Sequence, residues 1–153
     1  MQAPTVRPIA DDDLTAVAEL RWHWGSEKQS VPAVGHDEFV RQFTGWARQH
    51  RASHRGLVLV HDNVLIGMAW LAVVPRMPSV RMVHRASGDV QCVYVTPGHR
   101  NRGFGGRLLD AVLRLAEELE LERVTVHSSR RAVTLYGRYG FAASARLLEV
   151  DTA

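Results

Sequence analysis

The sequence predicts a single α+β domain, residues 1–153, and three observations predict it. Its 153 residues suit one domain that closes its own hydrophobic core. Strand-like and helix-like segments follow one another along the whole chain, in the order strand, helix, helix, three strands, helix, strand, helix, strand. No internal repeat, linker or low-complexity tract divides them.

Thr5 to Ile9 reads as a short first strand. Asp11, Asp12 and Asp13 then offer an N-cap and an acidic first turn to a helix running to about Trp22, with Leu14, Val17, Ala18 and Trp22 at helical spacing. Gly25 to Gly35 is expected to be loop. Phe39, Val40, Phe43, Trp46 and Ala47 mark one stripe of a second helix that ends near His50. Leu57–Val60 and Val64–Val74, joined by Asp62-Asn63, predict a hairpin, and Gly67 inside its second strand predicts a bulge. An arginine-rich loop, 75–88, follows, with a short irregular strand expected at Ser79 to Val83. Val90 to Val95 is a clean strand stopped by Thr96-Pro97-Gly98.

A strong helix carries Leu108, Leu109, Val112, Ala116 and Leu119 on one face. Arg123 to His127 is the next strand. Ala132, Leu135, Tyr136 and Tyr139 define a last helix that stops at Gly140, and Arg146 to Val150 is expected to close the sheet.

Composition removes several classes of function. An apolar share of 46% and a charged share of 23% are ordinary for a soluble globular protein. No apolar run approaches the ~20 residues of a membrane-spanning helix, and the N-terminus lacks a signal-peptide layout, so a cytoplasmic protein without a membrane partner is expected. The one cysteine, Cys92, cannot form an intramolecular disulfide and reads as a buried, inert thiol. The eight histidines show neither metal-ligand spacing nor a Ser–His–Asp signature, so no metal is expected. Net charge is +3 and the isoelectric point about 9.6, yet the arginines are interspersed with acids and do not line one helix with aromatics, which argues against a nucleic-acid partner.

The chemistry concentrates between a strand and a helix. The first turn of a helix leaves backbone N–H groups unpaired at the positive end of its macrodipole. Gly103, Gly105 and Gly106 remove Cβ atoms from the approach, and Arg100, Arg102 and Arg107 add charge, so the segment Arg100-Asn101-Arg102-Gly103-Phe104-Gly105-Gly106 is built to cradle a pyrophosphate. A P-loop is excluded, because the only lysine is the distant Lys28. A dinucleotide fingerprint fits poorly, since Leu108 stands where its third glycine belongs.

What remains is Arg-x-x-Gly-x-Gly between a strand ending Val95-Thr96-Pro97 and a helix opening on Leu108-Leu109. Here the sequence resembles the GCN5-related N-acetyltransferase superfamily. A second block, Ala132-Val133-Thr134-Leu135-Tyr136-Gly137-Arg138-Tyr139-Gly140-Phe141, is similar to the family's Ala-x-x-Leu-Tyr-x-x-x-Gly-Phe ending. The likeness covers nearly the whole chain. It implies a layered α/β/α arrangement, with four helices around a mixed, mostly antiparallel sheet of about six strands.

The resemblance implies acetyl-CoA as co-substrate and direct transfer of its acetyl group to a primary amine. Backbone groups of Val93, Tyr94 and Val95 would hold the pantetheine arm, and Arg100 to Gly106 the pyrophosphate. Ser129 stands where many relatives carry an asparagine that contacts CoA, and a hydroxyl replaces one hydrogen bond of that amide but not two. Tyr136 matches the tyrosine beside the CoA sulfur, where a phenol can protonate the departing thiolate. Thiol and phenol have reference pKa values of about 8.5 and 10, so that transfer is mildly uphill and needs help from the site.

For the acceptor, Asp89 and Gln91 flank the central strand. Glu27 is expected in the loop between the first two helices, near Trp22 and Trp24, whose indoles would attract a cation. The loops Trp22–Gly35 and 75–88 are expected to shape that pocket, and neither names a ligand. Many relatives pair as homodimers. The alternative function is a CoA-binding sensor or structural module without turnover.

Overall fold

A computed structural model describes residues 2–153. Five strands, β1 (Thr5–Pro8), β2 (His54–His61), β3 (Val64–Arg76), β4 (Arg85–Val95) and β5 (Val124–Val126), form one sheet in chain order among the described residues. The helices are α1 (Leu14–Glu27), α2 (His36–Gln49), α3 (Phe104–Glu118) and α4 (Val133–Arg138). Neighbouring strands are antiparallel from β1 to β4, and β5 runs parallel to β4. A parallel neighbour requires a crossover, and α3 provides it.

The alternation of side chains across the sheet divides the core into two layers. Leu57, Leu59, Ile66, Ala69, Leu71 and Val90 meet Leu108, Val112 and Ala116 of α3 on one face. Val58, Met68, Trp70, Cys92 and Tyr94 meet Leu14, Val17 and Leu20 of α1 and Ala47 of α2 on the other. The layered α/β/α arrangement follows from these two apolar faces.

Two bulges interrupt the alternation. Leu59 stands opposite Gly67 but Val60 opposite Leu65, which leaves Ile66 over; this is the irregularity expected at Gly67. A Cβ at Gly67 would lie 2.8 Å from the Tyr94 carbonyl oxygen, so packing demands glycine there. The second bulge was not foreseen. Trp70 faces Cys92 while Leu71 faces Val90, so Gln91 is extra. As a result Val90 points to the α3 layer and Cys92 and Tyr94 to the α1 layer.

Several boundaries differ from expectation. Helix α1 continues to Glu27, so the loop to α2 begins only at Lys28 and Glu27 is helical. The three aspartates form a 3-10 turn, Asp11–Asp13, and no side chain caps α1. Asp13 turns back instead, accepting from the Ala10 amide at 2.7 Å and from both arms of the Arg7 guanidinium at 2.6 and 3.0 Å. Ser79 to Val83 is not a strand but a turn, closed by Ser79 N–H to Met82 carbonyl (3.0 Å) and Met82 N–H to Ser79 carbonyl (3.2 Å).

Arg146 to Val150 forms no strand either, so the sheet has five strands rather than six. Strand composition alone does not make a strand, because the ladder needs a partner's backbone within reach. The segment Ala142–Leu147 instead borders, with Arg123 to Val126, a cavity of about 600 Å³. No helix among the described residues is long and apolar enough to cross a membrane.

Candidate active site

Strand β4 forks from β5. The two pair only from Gly88 to Val90 against Val124 to Val126, while β3 accompanies β4 to Val95. From the Gln91 bulge onward, the edge of β4 that faced β5 has no strand beside it among the described residues. Val93, Tyr94 and Val95 lie on this stretch. An open strand edge presents unpaired backbone donors and acceptors, which an amide-bearing chain can engage as another strand would.

After Val95 the chain turns through Pro97–His99 and enters α3 at Phe104. Asn101 (φ 63°) and Gly103 (φ 80°) both take the left-handed conformation. Gly103 is the N-cap of α3 and no side chain caps the helix. The first intrahelical bond of the turn runs from Arg107 N–H to the Gly103 carbonyl, at 3.2 Å. The amides of Phe104, Gly105 and Gly106 therefore lie in the orphan positions of a helix start, with the positive end of the helix dipole behind them.

The glycines of this segment serve different ends. Gly103 is required by its conformation and has open space beside it. Gly105 would meet only Leu135, at 3.6 Å. Gly106 is buried, and a Cβ there would collide with the Tyr139 hydroxyl. Its absent side chain thus admits α4 against α3, a packing role that motif spacing does not reveal. Arg102 is exposed, and Ser129 is exposed in the turn before α4.

Tyr136 is 8% exposed and packs edge-to-face on Phe141, ring centroids 5.4 Å apart. Burial, then the neighbouring Cys92, pushes its phenol above the ordinary value. The surroundings thus make Tyr136 a weaker acid, where help in releasing its proton was expected. Burial raises the Cys92 thiol as well, to about 12, which fits its reading as inert.

The acceptor-side residues separate into three places. Asp89 stands at the fork, accepting from the Thr125 hydroxyl at 3.3 Å and from the Gln91 amide at 3.5 Å. Trp22 packs against His36 and Phe39 (5.2 and 5.5 Å between centroids) and lines an apolar pocket of about 230 Å³ with Gly25, Ser26, Pro32 and Val34. Trp24 already holds cations of its own chain, Arg21 at 4.2 Å and Lys28 at 4.6 Å.

Glu27 is engaged from both sides. The Tyr94 hydroxyl donates to one carboxylate oxygen, and Arg100 Nη2 donates to the other at 2.7 Å. Arg100 Nε also donates to the Val95 carbonyl at 2.9 Å, and its guanidinium lies 5.5 Å from the Tyr94 ring centroid. Burial alone would raise the Glu27 carboxyl, but the bonds from Tyr94 and Arg100 outweigh it and hold the group below the usual carboxylate range. Burial, with the Glu27 bond second, pushes the Tyr94 phenol up to about 12 and keeps it a donor. The sequence points only to the backbone of Tyr94, and no local signal links its side chain to a residue 67 positions away.

No group of three or more His, Cys, Asp or Glu side chains able to hold a metal occurs among the described residues.

A sequence model of the acetyltransferase (GNAT) family matches residues 15–141. Among solved structures, a predicted acetyltransferase from Clostridium acetobutylicum, crystallised with acetyl-CoA, superposes with a TM-score of 0.77 at 19% identity, over 97% of this chain and 96% of that one. An acetyltransferase from Trypanosoma brucei gives 0.74 at 24% identity, over 97% and 99%. A ribosomal-protein-alanine N-acetyltransferase from Brucella melitensis biovar Abortus gives 0.76 at 19% identity, over 97% and 99%. At these identities the likeness is one of fold. No curated protein matches the chain.

Proposed function

The chain belongs to the acetyltransferase (GNAT) family and is an N-acetyltransferase, and on that premise we propose that it moves acetyl from acetyl-CoA directly to a primary amine, both substrates being bound together. The observation that carries this reading is the fork of β4 from β5 beside the bare amides of α3. The edge of β4 at Val93 to Val95, which has no strand beside it and whose Val95 carbonyl accepts from Arg100, suits the amides of a pantetheine arm. The amides of residues 104–106 suit a diphosphate at the end of that arm, with Asn101 and Gly103 turning the loop and Arg102 adding charge. Ser129, exposed before α4, supplies one further hydroxyl.

Transfer forms an N–C bond and breaks the C–S bond, so the amine must lose a proton and the departing sulfur must gain one. Tyr136 gives its phenolic proton to the sulfur and recovers one from the attacking nitrogen through solvent. Its raised pKa does not disable this role. A thiolate expelled beside Tyr136 is made more basic by the same desolvation, which offsets the weaker acidity of the phenol. Holding both reactants in register supplies much of the remaining acceleration.

Asp89, inside the short stretch paired with β5 and bonded to the Gln91 side chain, offers a carboxylate that would attract a cationic amine. The pocket beside Trp22 supplies apolar surface for the rest of the acceptor.

The test has two arms. Calorimetric titration of CoA into the folded protein should give saturable heat, and release of free thiol from acetyl-CoA should rise with members of a diverse amine panel. Saturable heat with no thiol release for any amine would favour a CoA-binding module without turnover. Absence of heat would overturn the coenzyme site itself.

A further inference from the structure

We infer that Glu27, Tyr94 and Arg100 form a clamp that positions the phosphate-binding loop, and that Arg100 serves coenzyme binding through this clamp rather than by touching the diphosphate. The inference rests on the coenzyme site proposed above.

The loop needs such an anchor. Between Val95 and Phe104 the chain reverses through a 3-10 turn and two left-handed residues, and no side chain caps the start of α3. The loop must nevertheless hold the α3 amides in fixed register with the open edge of β4, because one ligand is to span both. Misplacement of either by about 1 Å weakens every contact the ligand makes. The Thr96 amide, bonded to the Ile66 carbonyl at 2.9 Å, fixes the beginning of the loop. Arg100 fixes its middle.

Two of the three guanidinium nitrogens of Arg100 are already engaged within the chain. Nε closes the loop on the Val95 carbonyl, and Nη2 reaches back to Glu27, the last residue of α1. Each oxygen of Glu27 has its own donor, one from Arg100 and one from the buried Tyr94. The three residues therefore join α1, β4 and the loop through one ionised carboxylate. Turning Arg100 toward a phosphate would break both of its bonds and strip Glu27, whose side chain is 31% exposed, of its charged partner. Engaged in this way, Glu27 is also not free to act as a base for the acceptor.

The clamp reading makes Glu27 and Arg100 equivalent, whereas direct contact with phosphate makes them opposite. Calorimetric titration of CoA into wild type, Glu27→Ala, Arg100→Ala and the double variant decides between them. Each single substitution should weaken CoA about tenfold, and the double variant should be no weaker than the singles, as expected for two halves of one charged hydrogen bond. In Glu27→Ala the loss should fall on KM for acetyl-CoA and leave kcat within a factor of about two. Tyr94→Phe, which keeps the ring and removes only the hydroxyl, should give a smaller weakening of the same kind, and circular dichroism should show all variants folded.

Unchanged or tighter CoA binding in Glu27→Ala, with weaker binding in Arg100→Ala, would overturn the clamp in favour of direct phosphate contact. A fall in kcat without loss of affinity in Glu27→Ala would overturn it in favour of a base. Wild type that takes up no CoA would refute the coenzyme site, an outcome distinct from either.

Discussion

The two edges of β4 are made from one stretch of sequence and do opposite things. Along one edge β3 pairs with it from Arg85 to Val95; along the other β5 accompanies it only from Gly88 to Val90. The closed edge satisfies backbone groups within the chain and contributes stability. The open edge leaves them without a strand partner, at a cost in stability that the two packed layers must offset. The Gln91 bulge stands at the junction, and β4 changes role there.

The sharpest way to probe the comparison is to damage one edge and read the other. On the open side, Tyr136→Phe removes a single hydroxyl with little packing. Turnover should fall by ~10²-fold or more, the usual range for a lost general acid, while CoA affinity and melting temperature change little. Because burial raises the Tyr136 pKa, its acid form persists to higher pH than that of an ordinary tyrosine. The kcat–pH profile of the wild type should therefore show no loss assignable to this group below pH ~10. An undiminished kcat in Tyr136→Phe would remove the acid from the mechanism.

On the closed side, Leu59→Ala should cost about 2–5 kcal/mol of stability, since Leu59 is fully buried in the α3 layer. Denaturant unfolding would measure it. CoA affinity of the folded fraction should hold. A matching loss of affinity would mean that the two edges are not separable.

Gly67→Ala tests the place where they meet. The added methyl would press on the Tyr94 carbonyl at 2.8 Å and on Leu108 at 3.2 Å. Overpacking of this kind costs about 1–3 kcal/mol. Unlike Leu59→Ala, it should also weaken CoA binding, because the displaced strand carries Tyr94. Calorimetry beside a thermal melt separates the two effects.

The smallest expected effect is far from the fork, where Arg7 and Asp13 tie β1 to the start of α1. The bond from Arg7 outweighs desolvation and, with the Ala10 amide, holds the Asp13 carboxyl below its usual range. A depressed carboxyl contributes stability that is present above its unfolded pKa of about 3.9 and lost as pH falls through the lower folded value. Asp13→Asn should cost about 1 kcal/mol at neutral pH, toward the low end because Arg7 is 43% exposed and screened by solvent. The gap in melting temperature from wild type should close as pH drops below 4. A gap that persists in acid would assign the effect to packing.

Legibility followed the range of the interactions involved. The start of α3 could be read because its geometry is local: a left-handed glycine and a helix opening act within a few residues, whatever the rest of the chain does. The bulge beside Gly67 was readable because a glycine inside a strand marks such a site. The Gln91 bulge was not, since an extra residue in a ladder is defined only against its partner strand. Gly106 looked like part of the anion cradle, yet it is glycine for the sake of Tyr139, 33 positions away in sequence. Arg146 to Val150 is expected to be a strand and forms none, because the local sequence does not say whether a neighbouring backbone lies within hydrogen-bonding distance.

By itself the sequence determined the order of the elements from the first strand to the last helix, and the bare helix start at Gly103. These arise from periodicity and backbone geometry, which neighbouring residues set among themselves. Tertiary structure alone decided where β4 parts from β5, which environment tunes Tyr136, and that Glu27 meets Arg100 across 73 positions. Such features depend on distances between segments, and those exist only once the chain has closed upon its core.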